Sequence, residues 1–207
     1  YAAEKNVGIL VWYNSSGAWN ETEYSPKNAL LTRDQRLQEF ARLKEIGVKG
    51  LKIDFFSGDG QSMMAYYNDI LIDAAQFDLL INYHGSSLPR GLQRTYPHMM
   101  TMESVKGFEM ISFDQKVADQ EGEHVNMLPY TRNAFDPMDF TPTVFFEIPN
   151  IERKTSNGFQ LALPIIMLSG IQHIVETPEG MATVPYFVKD FMRKIPARWD
   201  AVKFIDG

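Results

Sequence analysis

Four polar residues stand in or just after short apolar runs and a fifth follows in a loop, and they are the part of this sequence equipped for chemistry. Asn14 follows the run Val7-Gly-Ile-Leu-Val-Trp-Tyr13, and Asp54 lies inside Gly50-Leu-Lys-Ile-Asp-Phe-Phe56. His84 closes Leu79-Leu-Ile-Asn-Tyr-His84, Glu103 closes Met99-Met-Thr-Met-Glu103, and Glu109 comes six residues later in a glycine-containing loop. Carboxylates, an imidazole and an amide in such places can carry acid/base work, bind a cation or hydrogen-bond a hydroxyl-rich ligand. Lys52 sits two residues before Asp54 and so shares its face of a strand. A carboxylate and an ammonium on one face of an otherwise apolar strand are costly unless paired or functional.

Each of these residues has a plainer reading. Asp54 equally fits a cap for the following turn, His84 a satisfied structural histidine, and Glu103 with Glu109 a solvated loop pair. Trp12 and Trp19 suit either a stacking surface or a buried core. The methionines at 99, 100 and 102 read as core packing, and Asp119, Glu121 and Glu123 as a solvated loop.

The apolar runs themselves are short, rich in β-branched and aromatic residues, and spaced by helical patterns. Strands are expected near 7–13, 50–56, 79–84, 99–103, 127–130 and 171–176. Thr32 has the chemistry of a helix N-cap, Leu37, Phe40, Ala41 and Leu43 follow at helical spacing, and Gly47 ends that helix. Further helices are expected over 62–76, over 155–168 despite Pro164, and over 185–193. Strands alternating with helices imply parallel βα units and an α/β fold. A closed (β/α)₈ TIM barrel needs roughly 250 residues. About six βα units in 207 residues therefore predict an incomplete barrel, a single catalytic-domain fragment over 1–207 with about two units upstream; an open doubly wound sheet is the alternative. In a barrel the loops after the strand C-termini build the active site, which is where the five polar residues fall.

Composition narrows the partners. A net charge of −6 with no basic stripe excludes a phosphate-backbone partner. The absence of cysteine excludes disulfides, zinc-thiolate sites and thiol nucleophiles. No membrane span is expected, because the most apolar stretch, Leu161 to Ile171, is short and carries Pro164. The chain starts at Tyr1 and enters a strand-like run at once, which reads as a piece of a longer protein.

Gly47-Val-Lys-Gly-Leu-Lys-Ile-Asp-Phe-Phe56, Ile81-Asn-Tyr-His-Gly85 and Met102-Glu-Ser-Val-Lys-Gly-Phe-Glu109 together resemble glycoside hydrolase family 97. Pro137-Met-Asp-Phe-Thr-Pro142 and Ser169-Gly-Ile-Gln-His173 are similar to later segments of that family, so the resemblance runs nearly the length of the chain. It implies an exo-acting α-glycosidase, periplasmic or otherwise exported, with an N-terminal β-sandwich and a small C-terminal β domain flanking the barrel. It also implies a calcium ion (Ca2+) held by glutamates, here Glu103 and Glu109.

Retaining members of the family carry an aspartate nucleophile at the end of the fourth barrel strand, and Asp54 matches it. Inverting members use a glutamate directly after the strand-five histidine, whereas His84 is followed by Gly85. The resemblance thus implies a retaining α-galactosidase acting on an α-galactoside or oligosaccharide, with Asp54 as nucleophile and Glu109 as acid/base. The carboxyl groups of a retaining pair stand about 5–5.5 Å apart. Lys52, His84, Asn14 and Trp12 are then the expected substrate contacts. The alternatives are an inverting α-glucosidase of the same family and a non-catalytic carbohydrate-binding barrel, whose mark would be loss of Asp54 or Glu109.

Overall fold

The structure, a computed structural model, describes residues 1–196 and 198–205. It falls into two compact units, Tyr1–Ser104 and the part that begins at Val105.

The first unit is a run of βα repeats. Its strands are β1 (Leu10–Asn14), β2 (Gly50–Asp54), β3 (Leu80–Tyr83) and β4 (Met99–Met102), separated by helices α1 (Arg33–Glu45), α2 (Gln61–Ala75) and α3 (Leu92–Thr95). The strands pair in chain order, all parallel. This is the α/β architecture expected, and a four-stranded parallel sheet fits part of a (β/α)₈ barrel.

Local chemistry explains the boundaries. Thr32 accepts from the Gln35 amide at 3.3 Å while its own amide donates to Gln35 Oε1 at 2.9 Å, a reciprocal cap that starts α1. Gly47, at φ +86°, ends it in the left-handed conformation. The first strand starts three residues later than expected, because Val7 and Ile9 are exposed and lie before the ladder.

The sheet has an apolar face and a polar one. Tyr13, Leu51, Ile53, Ile81, Tyr83, Met99 and Met102 pack with Phe40 and Leu43 of α1 and Tyr67, Ile70, Leu71 and Ala74 of α2 in one buried cluster. Arg36 of α1 is buried with them and donates through Nε to Asp73 Oδ2 of α2 at 2.7 Å, and also caps Leu30 and Leu31 carbonyls. Between β3 and β4 the register slips by one residue. Ile81 pairs with Met99 but Asn82 pairs with Thr101, leaving Met100 as a bulge.

The second unit is helical: α4 (Phe108–Phe113), α5 (Gln115–Asp119), α6 (Glu121–Met127), α7 (Asn157–Ile166), α8 (Pro178–Thr183) and α9 (Tyr186–Lys194). Phe108, Ile111, Val125, Phe140, Leu163 and Met167 belong to its own core. Pro164 lies inside α7, as expected for that helix.

Three expectations are corrected here. The segment at 127–130 is the end of α6 followed by a 3₁₀ turn, Leu128–Tyr130, where Pro129 takes a first-turn position that suits its fixed φ. The segment at 171–176 forms no strand. Its polar groups find single partners instead: Gln172 Nε2 donates to the Met167 carbonyl at 2.7 Å, and Glu176 accepts from the amides of Phe145 and Phe146 at 2.6 and 3.0 Å. The described residues therefore hold four sheet strands, not six. Glu121 is also not in a solvated loop. It is 1% exposed and accepts from Thr155 Oγ1 and Gln160 Nε2, both at 2.7 Å, so a buried acid is fully occupied within this unit's core. No helix among the described residues is long and apolar enough to cross a membrane.

Candidate functional site

The polar face of the first unit's sheet is built from alternate residues. Trp12, Lys52, Asn82 and Thr101 lie in one register row across all four strands. Asn14 and Asp54 form the next row. That row continues past the strand ends, because the His84 amide donates to the Ile53 carbonyl and the Glu103 amide to the Tyr83 carbonyl, both at 2.8 Å. The C-terminal edge of the sheet therefore presents Asn14, Asp54, His84 and Glu103 side by side. The bulge at Met100 is what brings Glu103 there. Without it, period-two alternation would set Met102 beside His84 and turn Glu103 to the helix side.

Asp54 is half-buried and held at both oxygens. Oδ1 accepts from the Phe55 amide at 2.7 Å and Oδ2 from the Trp12 indole N–H at 3.3 Å. Phe55 has φ +65°, the left-handed region that a bulky residue occupies only under strain. Simple alternation would send Phe55 to the helix side and Phe56 to the polar face. The left-handed turn reverses this. Phe56 joins the core against Tyr67 and Tyr83, while Phe55 stacks on Tyr24 at 6.0 Å and meets Trp12 edge-on at 5.8 Å.

Gly85, at φ +49°, closes the site on the other side. A Cβ there would lie 2.9 Å from Asp54 Oδ1 and 2.9 Å from the Phe55 amide nitrogen. Its own amide donates to Glu103 Oε2 at 2.8 Å, and Glu103 Oε1 is 3.5 Å from His84 Nδ1. His84 is 2% exposed and Glu103 12%. One short turn thus fixes a glutamate and a histidine beside the aspartate.

The remaining residues behave differently from one another. Lys52 is half-buried on the same face and makes no ion pair among the described residues, so its ammonium is not spent on Asp54. Asn14 is fully buried, and its amide is consumed by the loop after β1: it donates to Thr22 Oγ1 and the Tyr24 carbonyl and accepts from Ser16 N. Asn14, expected among the substrate contacts, thus has its amide engaged in organising that loop. Glu109 belongs to the second unit, exposed in the first turn of α4, whose start is tied down by the Phe108 amide donating to the Phe140 carbonyl at 2.9 Å.

Four residues escaped the reading of the sequence as site residues. Asn82 and Thr101 are fully buried on the polar face. Counting back by two from His84 and Glu103 would have found them. In the second unit His173 Nδ1 lies 2.8 Å from Asp139 Oδ2, an imidazole oriented by a carboxylate that is 1% exposed. Only the motifs around these two residues hinted at them.

Three groups outside the polar row have shifted proton affinities. Burial, reinforced by the Glu39 carboxylate, pushes the Tyr13 hydroxyl up to about 12. Burial alone raises Tyr66 to about 12. Arg132 in the second unit is lowered to about 10, again by burial.

Comparison with known proteins agrees with this geometry. The model of the family Glycoside hydrolase 97 matches residues 1–105, about half the chain. A probable retaining alpha-galactosidase of Streptomyces bingchenggensis is 37% identical over the whole chain, and a retaining alpha-galactosidase of Bacteroides thetaiotaomicron 31% identical. The crystal structure of a beta-arabinopyranosidase superposes with a TM-score of 0.95 at 36% identity, again over the whole chain. The chain covers 29%, 30% and 34% of those three proteins respectively.

Proposed function

The chain belongs to glycoside hydrolase family 97, and on that premise we propose that it carries the chemistry of an exo-acting retaining α-galactosidase. The observation that carries this is Asp54: a carboxylate at the C-terminal end of a parallel strand, held at both oxygens beside a glycine that leaves it room. It is supported by two relatives named as retaining alpha-galactosidases.

In this reading, ionised Asp54 attacks the anomeric carbon while protonated Glu109 gives its proton to the departing oxygen. Glu109 then acts as base, taking a proton from the water that hydrolyses the glycosyl–Asp54 ester, and the product keeps the starting configuration. Lys52, His84 and the edge of Trp12 contact sugar hydroxyls. Glu103 and Glu109 would hold a calcium ion, since carboxylate oxygens are the hard donors it prefers and Glu103 is fixed by the Gly85 amide. When bound, such an ion would supply positive charge beside these carboxylates. We further propose, on family resemblance alone, that the chain is a piece of the barrel of a larger, exported protein with flanking β domains.

The inverting α-glucosidase reading is less well supported, because Gly85 offers no carboxylate where that chemistry needs one. A non-catalytic barrel is disfavoured by the presence of both Asp54 and Glu109. A β-arabinopyranosidase is the second reading with a specific observation behind it, the TM-score of 0.95. A β-L-arabinopyranoside has the ring stereochemistry of an α-D-galactopyranoside without its C5 hydroxymethyl group, so the same row of residues serves either. Assays of the complete protein on the two nitrophenyl glycosides decide between them.

The mechanism is tested with Asp54→Ala. Turnover of nitrophenyl α-galactoside falls on the order of 10³-fold or more, and azide restores it with a β-galactosyl azide as product. Glu109→Ala instead spares activated aryl substrates in the first step and loses those with poor leaving groups. An Asp54→Ala protein that azide does not rescue means the nucleophile lies elsewhere.

A further inference from the structure

The hydrogen bond from Trp12 to Asp54 has no part in the chemistry above. Trp12 pairs with Lys52 and Asn14 with Asp54, so Asp54 is the diagonal neighbour of Trp12 on one face of the sheet, within reach of a large aromatic side chain. The indole N–H crosses that diagonal to Asp54 Oδ2 at 3.3 Å, in a half-buried setting. Indole has a single N–H and no acceptor. While that N–H is given to Asp54, Trp12 can meet a sugar only through the carbons of its ring.

Two other rings hold the indole where it is. Phe55 meets it edge-on with centroids 5.8 Å apart, and Tyr24 does the same at 6.2 Å. Tyr24 and Phe55 stack on each other, 8° from parallel. Tyr24 is tied in turn by its carbonyl, which accepts from the Asn14 amide at 3.3 Å. The donor is therefore set before any substrate arrives and need not reorganise when the charge on Asp54 changes. The two carboxylate oxygens are treated differently. Oδ1 takes the shorter bond, from the Phe55 backbone amide at 2.7 Å, and is walled by Gly85, whose Cβ position lies 2.9 Å away. Oδ2 takes the longer bond, from a side chain.

We propose that Oδ2 is the oxygen that attacks the sugar, and that Trp12 is a positioning residue whose N–H serves the second half of the reaction. The inference rests on the retaining reading above. In the first half, the bond from Oδ2 to the anomeric carbon forms as the bond to the leaving group breaks, and the carboxylate gives up its negative charge. A hydrogen bond is strongest to the full charge, so it steadies the starting carboxylate more than the transition state and does not speed this half. In the second half, a water oxygen bonds to the anomeric carbon and its proton passes to Glu109. The bond to Oδ2 breaks, and its electron pair returns to Oδ2. The waiting N–H then meets growing negative charge, the condition under which a fixed donor accelerates a step.

The test uses the complete protein with α-galactosyl fluoride or β-L-arabinopyranosyl fluoride, whichever it cleaves faster. Fluoride leaves without a proton, so the second half limits turnover. Trp12→Phe removes the N–H and keeps a ring against Phe55 and Tyr24. It lowers kcat by about tenfold, the scale of one hydrogen bond to a charged group. KM falls with it, so kcat/KM changes by less than about threefold. Mass spectrometry of the acid-quenched variant shows the glycosyl ester on Asp54 as the dominant form during turnover. Putting sulfur in place of the indole N–H at position 12, as 3-benzothienylalanine, keeps the packing and gives the same split. A merely structural role lowers kcat and kcat/KM together. That result, or an unchanged kcat in both variants, overturns the inference. A wild-type protein that cleaves neither fluoride, or releases the inverted sugar first, overturns the retaining function, and the role of Trp12 falls with it.

Discussion

Replacing Gly85 with alanine is the sharpest probe of how the nucleophile is held. The added methyl carbon would stand 2.9 Å from Asp54 Oδ1, 2.9 Å from the Phe55 nitrogen and 3.2 Å from the Phe55 Cα. All three are closer than a carbon comfortably sits, and two of them belong to backbone that is already left-handed. Adopting φ +49° costs alanine about 1–2 kcal/mol. The contact forces a further shift, and the carboxylate is the neighbour freest to move. A displacement near 1 Å at a reacting group costs about 10²-fold in rate. Gly47→Ala is the control, since Gly47 has φ +86° but open space around it. Gly47→Ala should therefore lose about 1–2 kcal/mol in urea unfolding and Gly85→Ala at least as much, while only Gly85→Ala loses about 10²-fold in kcat/KM for an aryl α-galactoside. Full activity in Gly85→Ala, or an equal loss in Gly47→Ala, would refute the idea that Gly85 makes room for Asp54.

Three other outcomes follow from the same structure. Asp73→Asn leaves the Arg36 guanidinium buried without its 2.7 Å partner and should cost about 3–5 kcal/mol by denaturant titration; a loss under 1 kcal/mol would mean the exposed Asp69, at 3.7 Å, compensates. Tyr13 and Tyr66 have hydroxyls raised from the ordinary 10.0 to about 12, so the stability they support is intact below about pH 10 and lost as pH climbs toward about 12; Tyr13→Phe should flatten that alkaline decline in a melting series. Chelation of calcium should reduce activity and Glu103→Gln should weaken calcium affinity in a direct titration, and calcium binding unchanged by Glu103→Gln would remove that residue from the ligand set.

How much of this was legible in the sequence differs between the two units. In the first, every strand is a short apolar run ended by a polar residue, and Thr32 and Gly47 announce the ends of α1 by their own chemistry. Asp54, His84 and Glu103 could be picked out because a charged group in an apolar run needs a reason. Asn82 and Thr101 could not, since uncharged polar residues inside a strand look like an ordinary solvent face. Asn14 was placed correctly, yet its occupation by the Thr22–Tyr24 loop depends on contacts that no local pattern encodes. In the second unit the reading of 171–176 failed because β-branched residues favour strands only where a neighbouring strand exists. There the partners are single backbone groups, the Met167 carbonyl for Gln172 and the Phe145 and Phe146 amides for Glu176, and these tie the segment down. Glu121 misled for a similar reason: its partners, Thr155 and Gln160, lie more than thirty positions away.

The bulge at Met100 and the left-handed Phe55 share a consequence for how such a site tolerates change. Neither residue supplies a reactive group; each sets the parity of the chain, deciding which of the following side chains look inward. Swapping methionine at 100 for another apolar residue alters little, because the count is kept. Deleting it would remove the bulge and leave Glu103 beside His84 by plain alternation, whereas inserting one residue between Thr101 and Glu103 would turn Glu103 to the helix side. Divergence of this sheet edge is therefore free in letters at these two points and rigid in length between the bulge and Glu103. A library built by substitution will find many working variants here, and one built by single-residue insertion after the bulge will find few.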